Sequence, residues 1–177
     1  MERVLPALVM LAAAVAIAAL LWVGWRGRKR RQADVPVPVP LPADPGAERF
    51  RAEGHYVTTT TAGDWLDRIA VHGLGLRTPA DAAVFDGGVL FDRSGSGPLW
   101  VPAADLSDVR LEGGMAGKFV EPGGLVVLGW KLGEKDVDTG FRTRRPDERD
   151  ALVSAIEDLI AVGRPRGAEP GQDQEEE

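Results

Sequence analysis

The stretch PDERDALVSAIEDLIAVG, Pro146 to Gly163, places apolar Leu152, Val153, Ile156, Leu159 and Ile160 at spacings of 1, 3, 3 and 1. That is helical periodicity, with one apolar face and one charged face. Pro146 starts the helix, acidic residues suit its first turn, and Gly163 with Pro165 stops it. An amphipathic helix must lay its apolar face on something, and the sequence before it has a different period.

Upstream, GLVVLGWKLG (Gly124–Gly133) is β-branched and aromatic, as a strand requires. VDTGFRTR (Val137–Arg144) pairs with it across Gly133-Glu134-Lys135-Asp136. AAVFDGGVLFDR (Ala82–Arg93) sets two apolar runs about Asp86-Gly87-Gly88, a hairpin signal. LWVP (Leu99–Pro102) and DLSDVRLEG (Asp105–Gly113) add further strands. GDWLDRIAVHG (Gly63–Gly73) reads as a short helix capped by Asp64 and ended by Gly73; a strand from Arg68 to Leu76 is the alternative. The order is therefore antiparallel strands followed by one helix, mainly β with a C-terminal helix (α+β), in a folded domain over 48–162.

At the other end, Val4 to Trp25 is 22 residues without a charge. As a helix it reaches roughly 33 Å, enough to cross a hydrocarbon core of ~30 Å. A cleaved signal has a basic leader and a shorter core; here the charges follow the apolar run. The expectation is a transmembrane helix over 4–25 after a short extracytoplasmic end, 1–3. Trp22 and Trp25 are interfacial anchors, and Arg26, Arg28, Lys29, Arg30 and Arg31 stop transfer. The positive-inside rule then puts the domain in the cytoplasm, at the inner (cytoplasmic) membrane. The segment 26–47 combines this basic stop with VPVPVPLPADP (Val35–Pro45), where alternating proline favours polyproline II. That reads as a stiff spacer holding the domain off the membrane. The Gly-, Pro- and acid-rich end, 163–177, reads as a disordered tail.

Composition narrows the function. The 177 residues carry a net charge of −6, which disfavours general nucleic-acid binding. No Cys is present, so thiolate metal sites and Cys nucleophiles are excluded. His55 and His72 have no partner at metal spacing, and no base stands near Thr58–Thr61 to activate a hydroxyl. No catalytic residue, cofactor or metal is expected. GGMAGKF (Gly113–Phe119) departs from a phosphate-binding loop, because Glu112 occupies the first glycine position and Phe119 replaces the hydroxyl residue. It reads as a loop, with Met115 and Lys118 as exposed partner contacts. HGLGL (His72–Leu76) is too short for a dinucleotide fingerprint. RTRR (Arg142–Arg145) is the one basic cluster inside the domain. It either pairs with Asp147, Glu148 and Asp150, or offers Arg142, Arg144 and Arg145 to an anion or a protein.

Several of these pieces together resemble a family: Tyr56-Val57-Thr58-Thr59, the GDWLDRIAVHGLG run, Gly114-Met115-Ala116-Gly117-Lys118, Gly123-Gly124-Leu125, Trp130 and Asp138-Thr139-Gly140-Phe141-Arg142. The chain is similar over residues 1–162 to actinobacterial pleckstrin-homology-like membrane proteins, some loosely labelled transporters. The resemblance implies one N-terminal anchor and a pleckstrin-homology-like bent antiparallel barrel whose open end the helix plugs. It implies no established activity, and one span cannot by itself enclose a transport pathway. The expectation is a non-catalytic, membrane-tethered module that binds a protein partner. The alternative is a binder of anionic lipid headgroups or small anions through RTRR.

Overall fold

The computed structural model describes residues 4–32, 34–115, 118–119 and 123–163, with side chains excepted at 4–9, 25–31 and 118–119. Helix α1 spans Val4–Arg31. The strands are β1 (Glu48–Thr61), β2 (Asp64–Arg68), β3 (Thr78–Phe85), β4 (Gly88–Arg93), β5 (Leu99–Pro102), β6 (Leu106–Glu112), β7 (Gly114–Met115), β8 (Lys118–Phe119), β9 (Leu125–Leu132) and β10 (Lys135–Thr143). Helix α2, Asp147–Gly163, closes the described chain.

The main sheet runs β5-β4-β3-β1-β10-β9-β6, every pairing antiparallel, with β2 added to the end of β1. β1 is shared between two halves. Its first part, Glu48 to Tyr56, pairs with β3, while Gly54 to Thr61 pairs with β10. The changeover falls at Gly54–Tyr56, and the register slips between Tyr56 and Thr58. A Cβ at Gly54 would sit 2.1 Å from the Arg142 carbonyl oxygen, so only glycine allows β10 to come this close. A bulge at a shared strand bends the sheet.

Helix α2 forms where the 3.6-residue period placed it. Leu152, Ile156, Leu159 and Ile160 are buried in one core with Tyr56, Phe91, Leu128, Trp130 and Phe141 from the strands. Each such side chain contributes roughly 2 kcal/mol of apolar burial. The same core holds a polar thread. Trp130 Nε1 donates to Thr139 Oγ1 at 2.9 Å, Thr139 meets Thr59 Oγ1 at 2.7 Å, Thr59 meets the Tyr56 hydroxyl at 2.6 Å, and Tyr56 donates to the Leu74 carbonyl at 2.8 Å. Indole N–H can only donate and a carbonyl can only accept, so the thread runs in one direction with every hydroxyl donating once. Burial pushes the Tyr56 hydroxyl up to about 12, so it stays neutral as a structural donor.

Three expectations change. The run Gly63–Gly73 is not a helix. Asp64–Arg68 is a strand paired to β1, and Ile69–Arg77 is a loop. The alternative strand from Arg68 to Leu76 is also absent from these described residues. Trp65 and Leu66 are exposed and Ile69 is buried, so the run presents no continuous apolar face of the kind a helix would need.

The proline segment is not a free spacer, because both its ends are fastened to the domain. Gln32 donates from Nε2 to the Arg68 carbonyl at 2.9 Å and accepts from the Ala70 amide at 2.6 Å. Val35 is buried in the core, and its carbonyl lies 2.9 Å from His72 Nε2. Lys135 Nζ reaches Asp34 at 2.7 Å, and Pro36 packs on Gly133, where a Cβ would lie 2.8 Å from its ring. At the far end the Pro45 carbonyl accepts from the Gly87 amide at 2.9 Å. The ten steps from Val35 to Pro45 reach roughly 31 Å in polyproline II, and that length is laid between two points of the same domain. The folded unit thus begins at Gln32, not Glu48.

The third change concerns Met115. It is buried with Val57, Leu125 and Val127, its sulfur against Gly140, where an added Cβ would come within 2.8 Å. An unbranched thioether fills this gap, so Met115 fastens the β7–β8 hairpin and is not a surface contact.

Candidate functional site

The expected cluster RTRR divides. Arg145 is tied to Glu148 on α2, and Arg144 reaches Glu53 on β1 at 3.4 Å. The pairing with the acidic first turn of α2 is met at Arg145. Arg142 lines a cleft of about 240 Å3, with His55, Arg77, Gly124, Thr143, Arg144, Pro146 and Arg149.

Four elements build the cleft. β1 supplies His55, directly opposite Arg142 on β10 in the register that Gly54 permits. The loop before β3 supplies Arg77. The first turns of α2 supply Arg149, whose guanidinium is steadied by the Gly123 carbonyl at 3.0 Å and by Asp150 at 2.9 Å. Among the described residues, the lining contains four arginines and one histidine. His55 records the result. Burial first, then the charges of Arg77, Arg142 and Arg144, hold its pKa below the ordinary histidine value. Arginine forks of this kind bind phosphate or carboxylate oxygens in pairs.

Sequence reasoning found Arg142 and Arg144 but not Arg77, Arg149 or His55 as a group. They are scattered over 95 positions, from residue 55 to 149, and only strand register unites them. The Lys118 side chain lies outside the described residues, as do those of Trp25, Arg26, Arg28, Lys29, Arg30 and Arg31. Trp22 lies on α1 and is exposed. The tail 164–177 lies outside the described residues as well. No group of His, Asp and Glu that could hold a metal is present among the described residues. Among the described residues, no helix is long and apolar enough to cross a membrane.

A family model described as bacterial PH domain-like matches residues 32–157. Its start at Gln32 coincides with the first residue fastened to the domain. None of the curated proteins compared with the chain matches it. Among solved structures, the fold is similar to a chain of the 8S snRNP assembly intermediate at 8% identity, covering 77% of this chain and 97% of that one, with a TM-score of 0.49. It is also similar to the activated truncation of Vav1 in its apo form, at 13% identity, covering 80% of this chain and 34% of that one, with a TM-score of 0.42.

Proposed function

From the premise that this chain belongs to the bacterial PH domain-like family, we propose that it is a membrane-tethered, cytoplasm-facing recognition module without catalytic activity, related to actinobacterial membrane members of that family. One observation carries the reading. On α1 the exposed side chains are apolar on every side, including Leu11, Val15, Ile17, Leu20 and Val23. Such a helix has no polar face for water and needs an apolar surround. The uncharged run from Val4 to Trp25 and the five basic residues after it supply the span and its orientation.

The fastening at Gln32–Pro36 gives the tether a specific form. The domain is held at the end of α1 by its β9–β10 turn, without a spacer. The opposite ends of β9 and β10, with the first turns of α2 and the arginine cleft, lie a strand's length from that attachment. A protein partner is met at this outer end.

Alkaline carbonate extraction of cell membranes, with a reporter fused to the C-terminus, tests the tether. We expect the protein to stay in the membrane pellet and the reporter to be active only if cytoplasmic. Release into the supernatant, or a reporter active outside, overturns the reading. A cross-linked pull-down from membranes, against residues 1–47 alone, tests the partner. A protein recovered only with the domain supports recognition, and identical recoveries refute it.

A further inference from the structure

We propose that the end of the domain fastened to α1 makes a second contact with the bilayer: Leu66, Trp65 and Val37 enter the headgroup layer of the membrane that α1 crosses and set the tilt of the domain against it. The inference rests on the membrane reading above and goes beyond it, since a span by itself fixes no angle between domain and bilayer.

A break in the sheet presents these residues. β2 pairs with β1 at Thr60–Arg68 and again at Thr61–Asp64. One step along β1 thus answers four along β2, and Trp65, Leu66 and Asp67 are left outside the ladder. Hydrogen bonds hold this bulge in shape. Asp64 Oδ1 accepts the amides of Leu66 at 3.0 Å and Asp67 at 3.2 Å, and the Thr61 hydroxyl donates to Asp67 Oδ2 at 2.7 Å. Amides satisfied from within leave water without losing a hydrogen bond. The bulge displays apolar surface: Leu66 is 63% exposed and Trp65 is 44% exposed. A lone exposed leucine needs no explanation, but the place of this one does.

That place selects the partner. The β1–β2 turn lies beside the β9–β10 turn, where the Ala62 amide donates to the Asp136 carbonyl at 3.0 Å. Both turns hold the end of α1. Gln32 bonds Arg68 and Ala70 just past the bulge, while Asp34 and Pro36 meet Lys135 and Gly133. Val37, 71% exposed, follows Pro36 directly. Gln32 stands seven residues past Trp25, where the uncharged run ends, or about 10 Å at ~1.5 Å each. A headgroup layer is roughly 5–8 Å deep. Leu66 is two residues from Arg68, a reach of ~7 Å, enough to return it among the headgroups. Asp64 and Asp67 keep the contact shallow, because carboxylates do not enter hydrocarbon. The bilayer around α1 is therefore the surface that this bulge meets.

The chain has no cysteine, so a fluorophore on a single introduced one reports a single place. Full-length chains carrying Leu66→Cys, Val37→Cys, Leu20→Cys or Leu111→Cys are labelled with bimane in phosphatidylcholine nanodiscs. The discs contain lipid with a nitroxide either on the headgroup or at mid-chain. Leu111 is the exposed reference at the far end, aligned through Val126 with Phe141, six residues along β10 from Lys135. We expect the headgroup nitroxide to quench the Leu66 and Val37 labels about twofold more than the Leu111 label, and the mid-chain nitroxide to quench the Leu20 label alone. Leu66→Glu should lower the headgroup quenching of the Val37 label by about half. It replaces an exposed side chain, so the fold is kept, and the dye sits elsewhere, so its own affinity for lipid does not produce the change. Equal quenching at Leu66 and Leu111, or a Val37 label indifferent to Leu66→Glu, overturns the contact. A Leu66 label shielded from aqueous iodide but untouched by either nitroxide lipid would mean that protein covers the bulge, and overturns lipid as the occupant. The Leu20 label judges the span alone: if the mid-chain nitroxide does not quench it, the tether falls whatever Leu66 shows, so the two readings fail separately.

Discussion

Positive charge is treated differently in two regions of this sheet. On β6, Arg110 meets three carboxylates: Asp108 at 3.0 Å, Glu112 at 2.7 Å and Asp138 at 2.7 Å. Burial works against its charge, but the carboxylates outweigh burial and hold its pKa above the ordinary arginine value. In the cleft, like charges meet instead: burial first, then Arg77, Arg142 and Arg144, hold the His55 pKa down. The carboxylates around Arg110 serve the fold, while the arginines near His55 disfavour its protonation.

Substitution separates the two regions by size. Arg110→Ala removes the 2.7 Å partner of the Asp138 carboxylate, whose side chain is only 9% exposed, and leaves it the weak 3.4 Å contact from the Gly63 amide among the described residues. We expect a loss of about 2 kcal/mol, less than for a fully buried pair because the arginine is itself partly solvated. A denaturant midpoint shifted by less than a quarter of that would mean the network is ornamental. Arg142→Gln acts on the other region and should change stability by no more than about 0.5 kcal/mol, as a partly exposed substitution on a cleft wall does. If it destabilises as much as Arg110→Ala, the cleft is a structural network too and the comparison collapses.

The contrast also marks how far the sequence could be read. The α2 period, the Asp86-Gly87-Gly88 hairpin and the β9–β10 pair are local patterns, so the sheet and its helix were legible from Ala82 to Gly163. The loop Ile69–Arg77 was not, because its form depends on distant partners: the Leu74 carbonyl accepts the Thr59 amide at 2.8 Å, and Arg93 donates to the Gly73 carbonyl at 3.0 Å. Alternating prolines signalled a segment without helix or ladder pairing, as residues 36–47 have, but not that Gln32 and Val35 would fasten it. Proline composition reports backbone stiffness, while docking depends on side chains one cannot place beforehand. RTRR was visible as a run, yet the strand ends at Thr143 and Arg145 turns to Glu148 on α2, so adjacency in sequence overstated the cluster and hid His55, Arg77 and Arg149.

The smallest effect is the one most specific to the cleft. Burial and the charges of Arg77, Arg142 and Arg144 lower the folded pKa of His55, whereas unfolded histidine titrates near ~6.5. Between these values the unfolded chain binds more protons, so stability falls as pH drops through 6.5 and levels once the folded pKa is passed. Carboxylates do not share this window. Asp34 is held low by its hydrogen bond to Lys135, Glu48 by Arg51 and Asp86 by Arg49; each contributes above its unfolded pKa and is lost only as pH falls through the folded one. His55→Gln should therefore flatten the stability profile between pH 7 and 5 while leaving the acid limb unchanged, and Arg77→Gln should flatten it partly by easing the repulsion. Denaturant titrations at half-unit pH steps measure this directly. A slope unaltered by either substitution would mean that the arginines do not act on His55, and the cleft would lose the electrostatic strain that distinguishes it from Arg110 and its three acids.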